Sequence, residues 1–324
     1  MPPNWESRDG AQMAPLASGR ILMIGGWSHY DPWGPSYVPS EGGGDRITNE
    51  VWSSDDLGQT WSLLLAHDAN APTSGPGARF PPGHAVGVVT YNGHAVVMGS
   101  DASIEHEMLG DVWHESNNGK TWTRVSTNAP TLGRALAMCS NYKGAIYVMG
   151  GQESVNDPGT AFNDVWRSSD GGLSWTKLSN APWSPRGMIY SPVEHAGKLY
   201  VVGGGNYADI PALPVAYNGV YAFDGNTWQT ILPEGHTQFG AAFYQPFVSL
   251  EGRLWLFNGF DPYNNVELSR AMVSDDDGQT WASFPAGSGG DGSHADSLVA
   301  AGGRILRISG NLSERAIWEF ARAQ

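Results

Sequence analysis

The chain holds a single cysteine, Cys139, so no disulfide forms within it. That fits a reducing compartment without excluding secretion. Cys139 follows the apolar stretch Ala135-Leu136-Ala137-Met138 and is expected to be a buried, inert thiol. Charge is sparse at 15% of residues, and positive charge sparser: 18 Lys+Arg stand against 32 Asp+Glu, a net charge of −14. No Lys/Arg run occurs. A duplex-binding surface clusters positive charge, so nucleic acid is not an expected partner, and the acidity works against anionic membranes.

Long apolar runs are also missing. No stretch approaches the ~18 apolar residues of a membrane-crossing helix. The opening Met1-Pro2-Pro3-Asn4-Trp5 lacks the pattern of a signal peptide. The compartment stays open: secreted or periplasmic if a leader has been removed, cytoplasmic otherwise. No His-x-His or His-Glu-x-x-His spacing marks a metal site, although a metal ion remains possible. Gly203-Gly204-Gly205 closes a strand with no amphipathic helix after it to receive a phosphate, so no nucleotide or other organic cofactor is expected.

What is abundant is glycine (43), proline (21) and tryptophan (14). This composition belongs to short strands joined by tight turns rather than to helices. Short apolar runs closed by glycine or another small residue recur at 21–26, 95–100, 146–151, 199–204, 254–259 and 305–310. Runs this short and this uniformly apolar read as strands covered on both faces. A second element, an aromatic strand followed by a turn and Thr/Ser-Trp, is marked by Trp61, Trp122, Trp175, Trp228 and Trp281, at spacings of 61, 53, 53 and 53 residues.

Four short antiparallel strands per period make one blade of a β-propeller. The expectation is an all-β, six-bladed propeller in a single domain. Its blades run approximately over 10–65, 80–127, 133–180, 187–233, 240–286, and 293–324 plus 3–8. The last repeat stops after three strands, and Trp5 aligns with Trp175, so residues 3–7 are expected to zip onto 315–320 and close the ring.

The hairpin before the repeat Trp reads Ser-x-Asp-x-Gly-x-x-Trp at Ser54/Asp56/Gly58/Trp61, Ser168/Asp170/Gly172/Trp175 and Ser274/Asp276/Gly278/Trp281. It is degenerate at Glu115/Asn117/Gly119/Trp122 and shortened at Asp224/Gly225/Trp228. These hairpins resemble the Asp-box (BNR) repeats of sialidase-type propellers. The Gly-Gly endings at 25–26, 150–151 and 203–204, followed by an aromatic strand, resemble kelch repeats. The resemblance implies that the Asp56, Asp170 and Asp276 carboxylates are structural and lie away from any site. The Arg-Ile-Pro signature of true sialidases is missing, and Arg20-Ile21-Leu22 falls on a second strand.

A site is therefore expected at the channel mouth on the opposite face, which carries the longer loops. His94 and His195 fall on the hairpin face and are poor candidates. The inner-strand starts bring Arg8, Arg79 or His84, Arg134, Arg186, Gln238 and His294 toward the channel. Arg134 and Arg186 are expected to hold an anionic group bidentately, as sialidase-like propellers hold a substrate carboxylate, or else to pair with loop carboxylates. His84 and His294 are candidates to move protons, with Tyr207 and Asp101 as further catalytic candidates. Trp27, Tyr30 and Trp33 are candidates to stack on sugar rings, and His29, His106 and Tyr263, with Gln238, complete the binding set.

The expected function is a carbohydrate-active propeller acting on or binding a polar or anionic glycan. As an enzyme it would be a glycosidase, polysaccharide lyase or sugar epimerase/mutarotase. The alternative is a non-enzymatic lectin or a kelch-type protein-interaction scaffold. The expected partner is a small molecule or glycan, and the expected state a monomer.

Overall fold

The computed structural model describes residues 8–28, 46–101, 108–130, 134–153, 160–188, 190–206, 215–284, 292–308, 310 and 317–320. The fold is an all-β propeller with no helix among these residues. Each blade is a four-stranded antiparallel meander running outward from the axis.

Blade 1 comprises Gln12–Pro15, Ile21–Ile24, Val51–Ser54 and Ser62–Leu65. Blade 2 comprises Gly87–Tyr91, His94–Asp101, Met108–Ser116 and Thr121–Ser126. Blade 3 comprises Met138–Tyr142, Ala145–Met149, Val165–Ser168 and Thr176–Lys177. Blade 4 comprises Val193–His195, Lys198–Val202, Val220–Phe223 and Trp228–Leu232. Blade 5 comprises Phe247–Leu250, Arg253–Phe257, Ala271–Ser274 and Ala282–Ser283. A three-stranded sheet follows: Ser297–Ala301, Arg304–Ile308 and Ile317–Phe320.

The expectation of six four-stranded blades is thus corrected: five are present among the described residues, and the last sheet has three strands. The strand expected at residues 3–7 lies outside the described residues.

The second strands are apolar on both faces because each is sandwiched between neighbouring blades. Ile21–Ile24 and Ala145–Met149 are buried at every position. The three-stranded sheet packs on both of its flanks. Ile308, Leu306 and Val299 join Met13, Met23 and Trp52 of blade 1, while Ile305, Leu298 and Ala300 meet Val248 and Phe257 of blade 5.

Glycine endings stitch one blade to the next. Gly26 N–H donates to Gly83 O (3.0 Å), Gly151 N–H to Arg186 O (2.9 Å) and Gly259 N–H to Ser293 O (3.1 Å). Gly151 has φ +92°, and a Cβ there would meet Ala135 O at 2.8 Å. Both the backbone angle and the close approach require glycine.

The tryptophan hairpins share one bonding pattern. Ser168 Oγ donates to Asp170 Oδ1 (2.7 Å) and accepts the Gly172 N–H (2.7 Å). Asp170 then accepts Ser174 N–H (2.9 Å) and Oγ–H (2.6 Å), and Trp175 Nε1–H donates to Gly172 O (3.1 Å). The hairpins at Ser54/Asp56 and Ser274/Asp276 repeat these bonds. At 115, Glu115 Oε2 takes the place of the serine and accepts Gly119 N–H (2.8 Å). These turns share a face with the hairpins between first and second strands. Arg20 is bidentate to Asp55 (2.7 and 2.7 Å), and His195 bridges Ser249 (2.9 Å) and Asp277 (3.0 Å).

Ser168→Ala leaves the Gly172 N–H buried without its acceptor. Loss of ~1–3 kcal/mol of stability is expected, read as a lower urea midpoint with unchanged slope.

Candidate functional site

On the opposite face, second and third strands are joined by excursions. Three carry two-stranded ribbons: Trp27–Ser28 with Arg46–Ile47, Gly205–Asn206 with Val215–Ala216, and Phe260–Asp261 with Val266–Glu267. The chain entering each inner strand bridges to these excursions at Asp9↔Trp27, Ala135↔Gln152, Gly187↔Gly205 and Phe243↔Phe260. A left-handed residue recurs next to these positions: Gly10 (φ +64°), Ala85 (+49°), Leu136 (+56°), Tyr244 (+53°) and Ala295 (+54°). Left-handed backbone at a non-glycine residue costs ~1–3 kcal/mol and concentrates at functional sites. The turn aims the residue before it at the rim of the channel. Asp9, His84, Ala135, Gly187, Phe243 and His294 are the equivalent rim residues.

The rim is polar on one side. Inner strand Gln12–Pro15 lies beside both Gly87–Tyr91 and Ser297–Ala301, which places Asp9 between His84 and His294. His84 Nε2 is 3.3 Å from Asp9 Oδ1, and His294 Nε2 is 3.4 Å from Asp9 Oδ2. His294 Nδ1 is 2.7 Å from Glu267 Oε1. A four-membered chain, His84–Asp9–His294–Glu267, therefore spans four sectors: blade 2, blade 1, the three-stranded sheet and blade 5. Aromatic rings border it: Trp27 meets His84 edge-on (5.7 Å), Tyr244 stacks on His294 (5.3 Å) and Phe260 lies 5.6 Å from His294.

The electrostatics follow from this packing. Burial opposes the charged imidazolium of His294, but hydrogen bonds and charge from Asp9 and Glu267 outweigh it and push its pKa up to about 9. Burial alone would raise the Asp9 carboxyl; the two histidines instead hold it well below the usual carboxylate range. At neutral pH the chain thus contains an imidazolium donor and an ionised acceptor in contact.

The arginines are engaged elsewhere. Arg134 is bidentate to Asp164 (2.6 and 2.8 Å), donates to Gly150 O (3.1 Å) and stacks over Phe162 (3.8 Å). Arg186 is fully buried, pairs with Glu234 (2.6 Å), donates to Gly203 O (2.9 Å) and stacks over Tyr217 (3.8 Å). Arg8 pairs with Glu50 in the same manner. Arg134 and Arg186 thus each pair with a carboxylate of their own blade.

Gln238 lies at the outer strand of blade 5, donating to Gln279 O (2.8 Å) and accepting Trp281 N–H (2.6 Å). Its distance from the rim reflects a longer entry into that blade, whose rim residue is Phe243. Tyr263 caps the Phe260–Glu267 ribbon. Its hydroxyl accepts Ala216 N–H (3.1 Å) and its ring is 53% exposed. Asp101 ends a blade 2 strand opposite Met108. His29, Tyr30, Trp33, His106 and Tyr207 lie outside the described residues.

The sequence brings forward His84, His294 and Trp27 but does not single out Asp9, Tyr244 or Glu267. Asp9 follows Arg8 as Ala135 follows Arg134 and Gly187 follows Arg186, so the arginine register marks its position. Cys139 is buried, and burial pushes its thiol up to about 12. Among the described residues no group of three or more His, Cys, Asp or Glu converges as metal ligands do.

Two outcomes follow from this geometry. Arg186→Ala leaves Glu234 uncompensated, and a loss of ~3–5 kcal/mol is expected in denaturant unfolding. The second concerns pH. The folded pKa of His294 lies above its ordinary value of 6.5, so its stabilising contribution is complete below 6.5 and lost as pH rises through about 9. The melting temperature should decline over that window, and His294→Gln should remove that part of the decline.

Residues 89–221 match the family described as the DUF6242 beta propeller domain. None of the curated proteins matches the chain. Over blades 2 and 3 and the first three strands of blade 4, less than half its length, the chain is similar to the DUF6242 beta propeller domain, in agreement with the fold described above.

Proposed function

We propose that the channel mouth binds and acts on a polar carbohydrate, with His294, Asp9 and His84 at its hydroxyl groups. The observation that carries this reading is the His84–Asp9–His294–Glu267 chain with aromatic rings along it. Sugar recognition needs donors, acceptors and apolar faces together, and a few convergent polar groups among aromatics supply them. An imidazolium that keeps its proton to about pH 9 can donate it, and a second imidazole, His84, stands across Asp9 from it. Hydrolysis, elimination and mutarotation all draw on such a pair. Because Arg134 and Arg186 are held by Asp164 and Glu234, a neutral polar glycan fits this rim better than an anionic one.

The hairpin bonding at Ser54, Ser168 and Ser274 supports the likeness to Asp-box repeats, and the glycine stitches support the likeness to kelch repeats. On the same footing, the three-stranded sheet between blades 5 and 1 takes the place of a further sector of the ring. Its support is the packing of that sheet on both flanks and the recurrence of the rim turn at Ala295. A non-enzymatic lectin is the second reading, favoured by the exposed ring of Tyr263 beside the mouth.

The test is a screen of immobilised neutral and acidic glycans with the wild type, Asp9→Asn, His84→Gln and Tyr263→Ala. Binding to a neutral class is expected, weakened ~10-fold or more by the first two substitutions. Turnover of the bound glycan would separate the enzyme from the lectin. No binding by the folded wild type, or equal binding by all variants, would overturn the assignment.

A further inference from the structure

Away from the channel, a cleft of about 570 Å³ opens between the outer parts of blades 1 and 2. Its walls are residues 65–68 and 75–79 of the connection between the blades, and residues 120–123 at the start of blade 2's outer strand. Arg79, His67 and Lys120 line it together with Asp68 and the indole of Trp122. In a chain of net charge −14, two cations and an imidazole around one carboxylate is an unusual local balance.

Arg79 differs from the other buried arginines. Arg134, Arg186 and Arg307 each hold a carboxylate oxygen at 2.6–2.7 Å. Arg79, whose side chain is only 9% exposed, has Asp68 Oδ2 at 3.8 Å, beyond hydrogen-bonding distance. Asp68 is 51% exposed, and its other oxygen accepts the Asn70 N–H (3.0 Å). The guanidinium is under-compensated: burial lowers its pKa, with Asp68 and Glu50 only partly opposing. Lys120 is exposed and makes no ion pair with any described residue. The turn bearing Arg79 is fixed from its own backbone, by Arg79 N–H to Pro72 O (3.1 Å) and Ala78 N–H to Gly75 O (3.1 Å). Gly75 and Gly77 present open space on their Cβ sides.

We infer that this cleft is a second binding site, for the oxyanion group of a small molecule, with Arg79 and Lys120 as its ligands and Trp122 as its wall. A guanidinium fork whose nearest carboxylate oxygen lies at 3.8 Å is matched by a carboxylate, sulfate or phosphate. The volume suits a ligand of about the size of a substituted monosaccharide. This site stands apart from the channel mouth and does not rest on the reading of that mouth.

The experiment is calorimetric titration of the folded chain with inorganic phosphate and with inorganic sulfate, at constant ionic strength. Saturable uptake of one oxyanion per chain is expected. Lys120→Ala should weaken it ~10-fold, and Arg79→Gln should abolish it. Asp68→Asn, which removes the competing carboxylate and keeps an acceptor for Asn70, should tighten it severalfold. Should Arg79→Gln fail to fold, the opposite effects of the two surface substitutions carry the test. No saturable uptake of either ion by the wild type, or the same dissociation constant in wild type, Lys120→Ala and Asp68→Asn, would overturn the inference.

Discussion

Burying a guanidinium without a counter-charge is costly, and that constraint organises most of the blades of this propeller. In blades 1, 3 and 4 an arginine at the start of the inner strand reaches a carboxylate of its own blade: Arg8 to Glu50, Arg134 to Asp164, Arg186 to Glu234. The same guanidinium donates to the carbonyl of the glycine ending the second strand: Gly25 (3.4 Å), Gly150 (3.1 Å) or Gly203 (2.9 Å). The carboxylate is then shared with an aromatic donor, Trp52 Nε1 (2.8 Å), Trp166 Nε1 (2.7 Å) or the Tyr221 hydroxyl (2.9 Å). Three strands of a blade are thus tied at one charged node. Such a node adds little net stability over an apolar core, but breaking it strands a buried charge. In the last sheet Arg307 and Asp296 perform the same task with Ser293 and Gly310.

The node has a consequence at the channel. The residue after the arginine is a rim residue, and the next one is forced left-handed at Gly10 and Leu136. Rim side chains are therefore placed by the blade and not by a flexible loop. In three sectors nothing reactive sits there: Ala135, Gly187 and Phe243 are neutral. Three consecutive sectors carry His294, Asp9 and His84 instead. A pseudo-symmetric scaffold thereby acquires one polar side, with donor and acceptor groups held in contact at the mouth.

The second strands were legible because burial on both faces demands unbroken apolar runs, and 21–24 and 145–149 supply them. The tryptophan hairpins were legible because Ser, Asp and Gly fall at fixed offsets within one turn. The partners of the arginines were not, since Arg134 and Asp164 lie 30 residues apart and meet only once the sheet forms. Asp9 went unnoticed because its neighbour Arg8 carried the more conspicuous charge. Gln238 was placed at the rim by counting, whereas the rim register follows the left-handed turn, which in blade 5 is at Tyr244. No residue type marks that turn: glycine, alanine, leucine and tyrosine all occupy it. The number of complete blades could not be read from spacing alone: the repeat points to six, whereas the last sheet has three strands among the described residues.

The blade nodes hold Asp9 between two imidazoles, and His294 beside it stays protonated well above the ordinary histidine range. The most direct measurement is the NMR titration of the His294 ring in the folded chain, assigned with His294→Gln. A midpoint near 9 is predicted. A midpoint near 6.5, the ordinary value, would mean that Asp9 and Glu267 do not hold the ring, and would contradict the account.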